Sequence, residues 1–246
     1  MDDAGDFFDA FARVYDARYD GDGDDVDFYR DLATAVPGPA LEIGVGTGRI
    51  YLDLLAADID ADGIDVSPGM LARLRASADE RGLDPTVWLA DATRPGTRRE
   101  YGLIYAPARA INHLTTLDDQ RAALRAAHDA LADGGRFALN TFVPRAEVIV
   151  NYDDPDVESV TVDGTEYRIE SRQELVDGVE KLVRIEQRLY RGDRVVAERA
   201  TPIALIEKRT LDLLLDDAGF TDWTVYGGFD RSKPAAEREL VVVAKP

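Results

Sequence analysis

The chain contains no cysteine, which excludes disulfides, thiolate nucleophiles and zinc–thiolate sites. Lysine is nearly as scarce, with four residues, and histidine has two. Positive charge is short overall: 29 Lys and Arg stand against 48 Asp and Glu, a net charge of −19 over 246 residues. Nucleic-acid binding rests on cationic side chains that displace counterions from phosphates, so this balance argues against nucleic acid and against anionic membranes as partners. No apolar run is long enough to span a bilayer and Met1-Asp2-Asp3 begins no signal peptide, so a cytoplasmic protein is expected. Many Asp, few Lys and no Cys is also the composition of a halophilic protein, in which salt screens like-charge repulsion. That reading accounts for the acidity without reference to function.

What is present is enough apolar sequence for one substantial core, and nothing in the length demands two. The expected organisation is a single domain over 1–246, with an N-terminal helical cap over 1–36 and an antiparallel insertion over 148–206. The organising stretch is Ala40-Leu41-Glu42-Ile43-Gly44-Val45-Gly46-Thr47-Gly48-Arg49-Ile50. Ala40, Leu41 and Ile43 read as a buried strand, three glycines follow at alternate positions, and Ile50, Tyr51, Leu54 and Leu55 recur at helical spacing. Glycines permit positive φ and let a ligand lie against bare backbone at the positive end of a helix, so the turn is a candidate cofactor cradle. A dinucleotide fingerprint would require glycine at position 49, where the chain has Arg49. The spacing thus disfavours an NAD-dependent oxidoreductase, which stays as a rival reading beside a non-catalytic cofactor-binding module.

The E-x-G-x-G-x-G form, with Glu42 two residues before Gly44, resembles the first motif of class I S-adenosylmethionine-dependent methyltransferases. The resemblance implies S-adenosyl-L-methionine as cofactor, a small-molecule methyl acceptor, no metal, and cofactor contacts from Glu42, Gly44, Gly46, Gly48 and Arg49. Further along, Ile64 and Val66 mark a buried strand, with Ser67 as N-cap and Pro68 as first residue of the next helix. Asp65 stands 65 − 44 = 21 residues after Gly44, near the spacing at which a carboxylate meets ribose hydroxyls in nucleotide-binding α/β folds. Asp58, Asp60 and Asp62 read as surface decoration. After the third apolar run, Thr86 to Ala90, the family places an acid that accepts from the adenine amino group beside a backbone N–H for a ring nitrogen; Asp91 and Ala92 match, and Val66 joins the same pocket. Tyr15 and Tyr19 are implied by the family's habit of folding a Tyr-rich segment over the cofactor.

Tyr101 to Ala106 reads as a fourth strand, followed by Arg109, Asn112 and His113, then a helix face of Leu117, Leu124, Ala127 and Leu131. Ala132-Asp133-Gly134-Gly135 is a helix stop before the strand Phe137 to Phe142. Ligands in such sheets bind beyond the C-terminal strand ends, which makes Gly44 to Gly48, Asp65, Asp91, His113 and Thr141 neighbours on one rim. His113, with Tyr15, is the catalytic candidate: a neutral imidazole takes the proton that an amine or hydroxyl must lose. His128 is assigned no role.

From Val148 to Ile206 the helical pattern stops, and the alternating segments Glu166 to Gln173, Val179 to Tyr190 and Arg194 to Glu207 form the antiparallel insertion, a roof over the site or a homodimer contact. Its arginines, Arg168, Arg172, Arg184 and Arg188, either bind an anionic acceptor or pair with nearby acids. Leu211 to Phe220 and two closing strands complete the resemblance, with the last strand antiparallel. The expected fold is α/β: a Rossmann-like, seven-stranded, mostly parallel sheet with helices on both faces. The expected activity is methyl transfer to N or O of a small molecule.

Overall fold

The structure is a computed structural model that describes Val14 and residues 23–142, 155–235 and 239–246. A seven-stranded sheet is built from β1 (Ala40–Ile43), β2 (Ala61–Asp65), β3 (Thr86–Leu89), β4 (Tyr101–Ala106), β5 (Leu131–Phe142), β10 (Asp222–Tyr226) and β11 (Glu239–Lys245), in the order β10-β11-β5-β4-β1-β2-β3. β1 to β5 pair in parallel, whereas β11 is antiparallel to both β5 and β10. This is the expected sheet. Chain reversal between β3-β2-β1 and β4-β5 leaves the C-terminal ends of β1 and β4 side by side, the place where open α/β sheets take their ligands.

Helices cover both faces. α1 (Asp24–Ala35), α2 (Tyr51–Ala56) and α3 (Pro68–Arg81) pack Phe28, Tyr29, Leu54 and Leu74 with Leu103, Tyr105 and Val241 of the sheet. On the other side α4 (Leu117–Asp129) and α5 (Lys208–Ala218) pack Leu124, Ala127, Leu211 and Leu215 with Ile64, Ile104 and Phe137. α3 starts as expected: the Ser67 hydroxyl accepts from the Met70 N–H at 3.2 Å and Pro68 opens the helix. Three aspartates, Asp24, Asp25 and Asp27, fill the first turn of α1, where the helix dipole favours negative charge. Asp24 is the first residue of this helix.

A second sheet, β6 (Asp156–Val162), β7 (Thr165–Asp177), β8 (Leu182–Arg191) and β9 (Arg194–Ala204), is antiparallel throughout. β6 has no counterpart in the sequence reading. Val179 is not in a strand: it sits 87% exposed in the turn before β8, where Asp177 Oδ1 accepts the Val179 and Glu180 N–H groups at 2.8 and 3.0 Å. α4 also ends earlier than its apolar spacing suggests. Leu131 pairs with Tyr101 as the first residue of β5, and Gly134 (φ 75°) falls where the register jumps to Leu103 opposite Arg136.

Asp62 is not the surface decoration that its sequence suggests. It is 4% exposed, accepts from the Tyr101 hydroxyl at 2.7 Å and from Arg99 Nε and Nη2 at 3.0 Å, while Arg99 also grips Asp60 at 2.7 and 2.8 Å. These acids tie β2 to the start of β4.

Candidate functional site

Backbone hydrogen bonds join the glycine turn to β2. Gly44 and Val45 N–H groups donate to Ile64 O at 2.9 Å, Gly48 N–H to Val45 O at 2.9 Å, and Gly46 N–H to Asp65 Oδ2 at 2.9 Å. Asp65 Oδ1 accepts the Ser67 N–H at 2.8 Å. Burial raises the pKa of Asp65 above its ordinary value, and these N–H bonds act against the rise. Because the N–H groups at 44, 45, 46 and 48 are already used and α2 has only six residues, the turn offers bare surface rather than a row of donors.

All three glycines have positive φ, 74°, 56° and 91°, yet they differ in what surrounds them. A Cβ on Gly46 would meet only Gly44 O, at 4.0 Å. One on Gly48 would lie 2.9 Å from both Leu52 and Leu74, so that glycine serves close helix packing. Asp65, which holds Gly46, adjoins two apolar side chains left in water: Val66 (66% exposed), which follows it, and Leu89 (59%), paired with it in register. Val66 thus follows β2 instead of being buried within it. Ala92 lines a small apolar cavity with Ile43, Ala106, Ala110, Ile111 and Leu114 at the ends of β1 and β4. Exposed Asp91 follows β3, its Oδ1 accepting from the Thr93 N–H at 2.8 Å and hydroxyl at 2.6 Å, bonds that lower its pKa. The rim can therefore hold a flat, largely apolar ring system flanked by hydroxyls, with carboxylates placed to accept from its polar edges.

Two expected contacts have internal partners. Arg49 reaches across the turn to Asp25 of α1, Nη1 donating to Oδ1 at 3.0 Å. Glu42 is 2% exposed within β1 and accepts the Tyr105 hydroxyl at 2.6 Å; burial raises its carboxyl to about 8, against the Tyr105 bond and the Arg49 charge. Tyr15 and Tyr19 lie outside the described residues.

After β4 the chain turns through Ala108 (φ 51°) and Arg109 (φ 63°), left-handed conformations uncommon for non-glycine residues. Arg109 is held by Glu239 of β11, with Nε at 3.1 Å and Nη2 at 2.7 Å. The next residues form a short 3-10 turn, Ala110–His113. His113 is exposed at its end, although protein around the ring and then the Arg199 charge lower its pKa.

Residues 40–135, the stretch that carries this rim, match the methyltransferase domain family. Over this stretch the chain is similar to a methyltransferase domain. The aklanonic acid methyltransferase DauC of Streptomyces sp. (strain C5) is 33% identical over 122 residues, 47% of this chain and 54% of that protein, so the match spans about half the length of this curated relative. Among solved structures, the CcbJ methyltransferase of Streptomyces caelestis superposes with a TM-score of 0.78 at 21% identity, covering 100% of this chain and 99% of its own. CalS10, an amino pentose methyltransferase of Micromonospora echinaspora solved with S-adenosylmethionine bound, gives 0.75 at 21% identity over 96% and 97% of the two chains. The shared fold includes the second sheet as well as the first.

That sheet roofs the first one. Asn112 Nδ2 donates to Ala204 O at 2.7 Å, fixing the turn that carries His113 to the end of β9. Asn112 Oδ1 and the hydroxyl of Thr141, at the end of β5, are buried and have no hydrogen-bond partner among the described residues. Val183, Ile203 and Leu205 pack with Phe142, and Val14 packs with Val160, Ile169 and Leu189, so one face of the roof is turned to the body of the domain. The opposite face carries Arg168, Arg184 and Arg188, paired with Glu170, Glu174 and Glu198. For Arg168, Arg184 and Arg188, pairing with acids is the reading realised.

The sequence reading missed the polar row in the middle of the inward face: Ser171, Gln187 and Arg199, directly opposite one another on β7, β8 and β9. Its signal is legible in retrospect. Val183, Ile185 and Leu189 share a face with Gln187, so a lone amide interrupts an apolar alternation.

Proposed function

We propose that the chain transfers a methyl group from S-adenosyl-L-methionine to N or O of a small-molecule acceptor. The observation that carries this reading is the joint made by Asp65 and Gly46: a carboxylate fixed against a glycine whose missing side chain faces open space, beside the exposed Val66 and Leu89. These residues fit an adenosyl group. Gly46 gives it a bare wall, Asp65 accepts from ribose hydroxyls, Val66 and Leu89 cover the faces of the adenine ring, and Asp91 with Ala92 meets its polar edge.

The bound cofactor supplies a methyl carbon already activated by the positive sulfur. What the protein must add is alignment and dryness. The buried sheet end supplies the floor, and the second sheet is tied to the turn that carries His113. His113, neutral at neutral pH because its pKa is lowered, accepts the proton that an amine or hydroxyl acceptor loses. Relatives that are named for an amino pentose and for aklanonic acid support a small-molecule acceptor.

The test is incubation of the full chain with methyl-labelled S-adenosylmethionine and an extract of small metabolites. Label recovered in a low-mass product, lost on Asp65→Ala, supports the reading. Tight cofactor binding with no transfer to any fraction would instead favour a binding module.

A further inference from the structure

The chain between β4 and the 3-10 turn is held in a shape it would not take by itself. Ala108 and Arg109, at φ 51° and 63°, are consecutive non-glycine residues in the left-handed region, and such a pair persists only where its surroundings impose it. What imposes it is Asn140 of β5, a residue 3% exposed. Its Oδ1 accepts the Arg109 N–H at 3.4 Å and the Tyr29 hydroxyl at 3.3 Å, while its Nδ2 donates to Glu239 Oε1. Glu239 also accepts from the Arg109 guanidinium. Backbone and side chain of Arg109 are thus fixed together, by one amide and one carboxylate on the neighbouring strands β5 and β11.

Only an amide serves at position 140. One oxygen accepts twice and the nitrogen donates to a carboxylate; an aspartate could not donate and would set a second negative charge against Glu239. Tyr29 is itself fixed, being buried and stacked on Tyr105 at 5.0 Å between ring centres, and Tyr105 donates to Glu42 at 2.6 Å. The network therefore reaches from the strand before the glycine turn to the turn after β4. These two turns lie against each other: a Cβ on Gly44 would stand 3.0 Å from the Ala110 Cβ. The segment that begins with Ala110 ends at His113, where the Asn112 bond to Ala204 O holds it. Asn140 sets the beginning of that segment as Asn112 sets its end.

Resting on the reading of the chain as a methyltransferase with His113 as its base, we propose that Asn140 is a positioning residue: through the Ala108–Arg109 pair it sets where His113 stands relative to the glycine turn. Buried as it is, Asn140 touches neither cofactor nor acceptor. Methyl transfer needs its groups aligned, and a shift of about 1 Å can cost about 10²-fold in rate.

The experiment uses the full chain with methyl-labelled S-adenosylmethionine and a metabolite extract, together with calorimetry of S-adenosylhomocysteine and NMR of the histidine-labelled protein. Asn140→Asp, which keeps both acceptances and loses the donation, should slow label transfer at saturating S-adenosylmethionine ten-fold or more. S-adenosylhomocysteine affinity should stay within two-fold of the wild type. The His113 ring signals should shift, and those of His128, on α4, should not. Combining Asn140→Asp with Glu239→Gln exchanges amide and carboxylate between two positions of unchanged length. That exchange should restore most of the rate and return the His113 signals towards those of the wild type. A wild-type rate or unmoved His113 signals in Asn140→Asp, or a loss that the exchange does not recover, overturns the proposal. Cofactor affinity that falls in step with the rate also overturns it, because Asn140 would then serve the cofactor or the fold. No label transfer by the wild type would instead overturn the proposed function beneath it.

Discussion

Asp65 Oδ2 accepts the Gly46 N–H at 2.9 Å, so the acid that ends β2 and the middle glycine of the turn after β1 form one unit. In the proposed function, this bond sets where the cofactor's sugar and its adjoining chain lie relative to each other. Replacing Asp65 with Ala should weaken S-adenosylmethionine binding by about 1–3 kcal/mol, the range for hydrogen bonds to a charged group. Calorimetry checks it, and an unchanged dissociation constant would remove Asp65 from the site.

Gly46 and Gly48 should separate affinity from stability. Gly46→Ala places a methyl group in open space at φ 56°, costing about 1–2 kcal/mol of stability for the left-handed conformation while intruding on the cofactor wall. Gly48→Ala drives a methyl group to 2.9 Å from Leu52 and Leu74 at φ 91° and should cost about 2–4 kcal/mol by strain and overpacking. Denaturant melts with cofactor titrations should show affinity failing first at Gly46 and stability failing first at Gly48.

The seven-stranded, mostly parallel sheet and both helix layers were legible because each strand is a short apolar run closed by a glycine, an acid or a helix start. The placing of Asp65, Asp91 and His113 on one rim followed from that pattern. What stayed hidden depends on partners distant in sequence. Asp62 looks like Asp58 until Arg99 and Tyr101, from another strand, are brought against it. Gln187 and Arg199 acquire meaning only once the register of β8 and β9 sets them opposite each other. Arg49 faces the turn in sequence but is held by Asp25 of α1.

Asp62→Ala removes the acceptor for Tyr101 and one of two carboxylates for Arg99. The loss of buried, charge-assisted bonds should cost about 2–3 kcal/mol, and an equivalent change at exposed Asp58 should cost under about 0.5 kcal/mol. Equal melting curves for the two variants would restore the reading of Asp62 as surface decoration.

Glu42 gives stability a slope with pH. Its carboxyl is raised from an ordinary 4.5 to about 8, so the folded chain favours the protonated form. That contribution is fully present below the unfolded value and is lost as pH rises through about 8, so stability attributable to Glu42 should fall between roughly pH 5 and 8. Glu42→Gln, which keeps an acceptor for Tyr105, should flatten the slope and raise stability at pH 8. Denaturant melts across this range decide it, and a variant as pH-sensitive as the wild type would contradict the assignment.

His113 should act as a neutral base to lower pH than an ordinary histidine, because its surroundings and Arg199 both disfavour the imidazolium. The acid limb of kcat should fall below about pH 6.5, and His113→Asn should reduce kcat by about 10²–10⁴-fold while leaving cofactor affinity unchanged. Arg199→Gln should move the imidazole titration upward, as read by NMR. A titration unmoved by that substitution would separate Arg199 from the His113 ring.

The central claim is that the surface around Gly46 and Asp65 takes an adenosyl sulfonium compound. Its most direct test is calorimetry of the full chain with S-adenosylmethionine and, separately, with NAD. The account predicts saturable binding of S-adenosylmethionine at one site per chain, weakened by Asp65→Ala, and no comparable binding of NAD. Saturable binding of NAD with no heat from S-adenosylmethionine would contradict it.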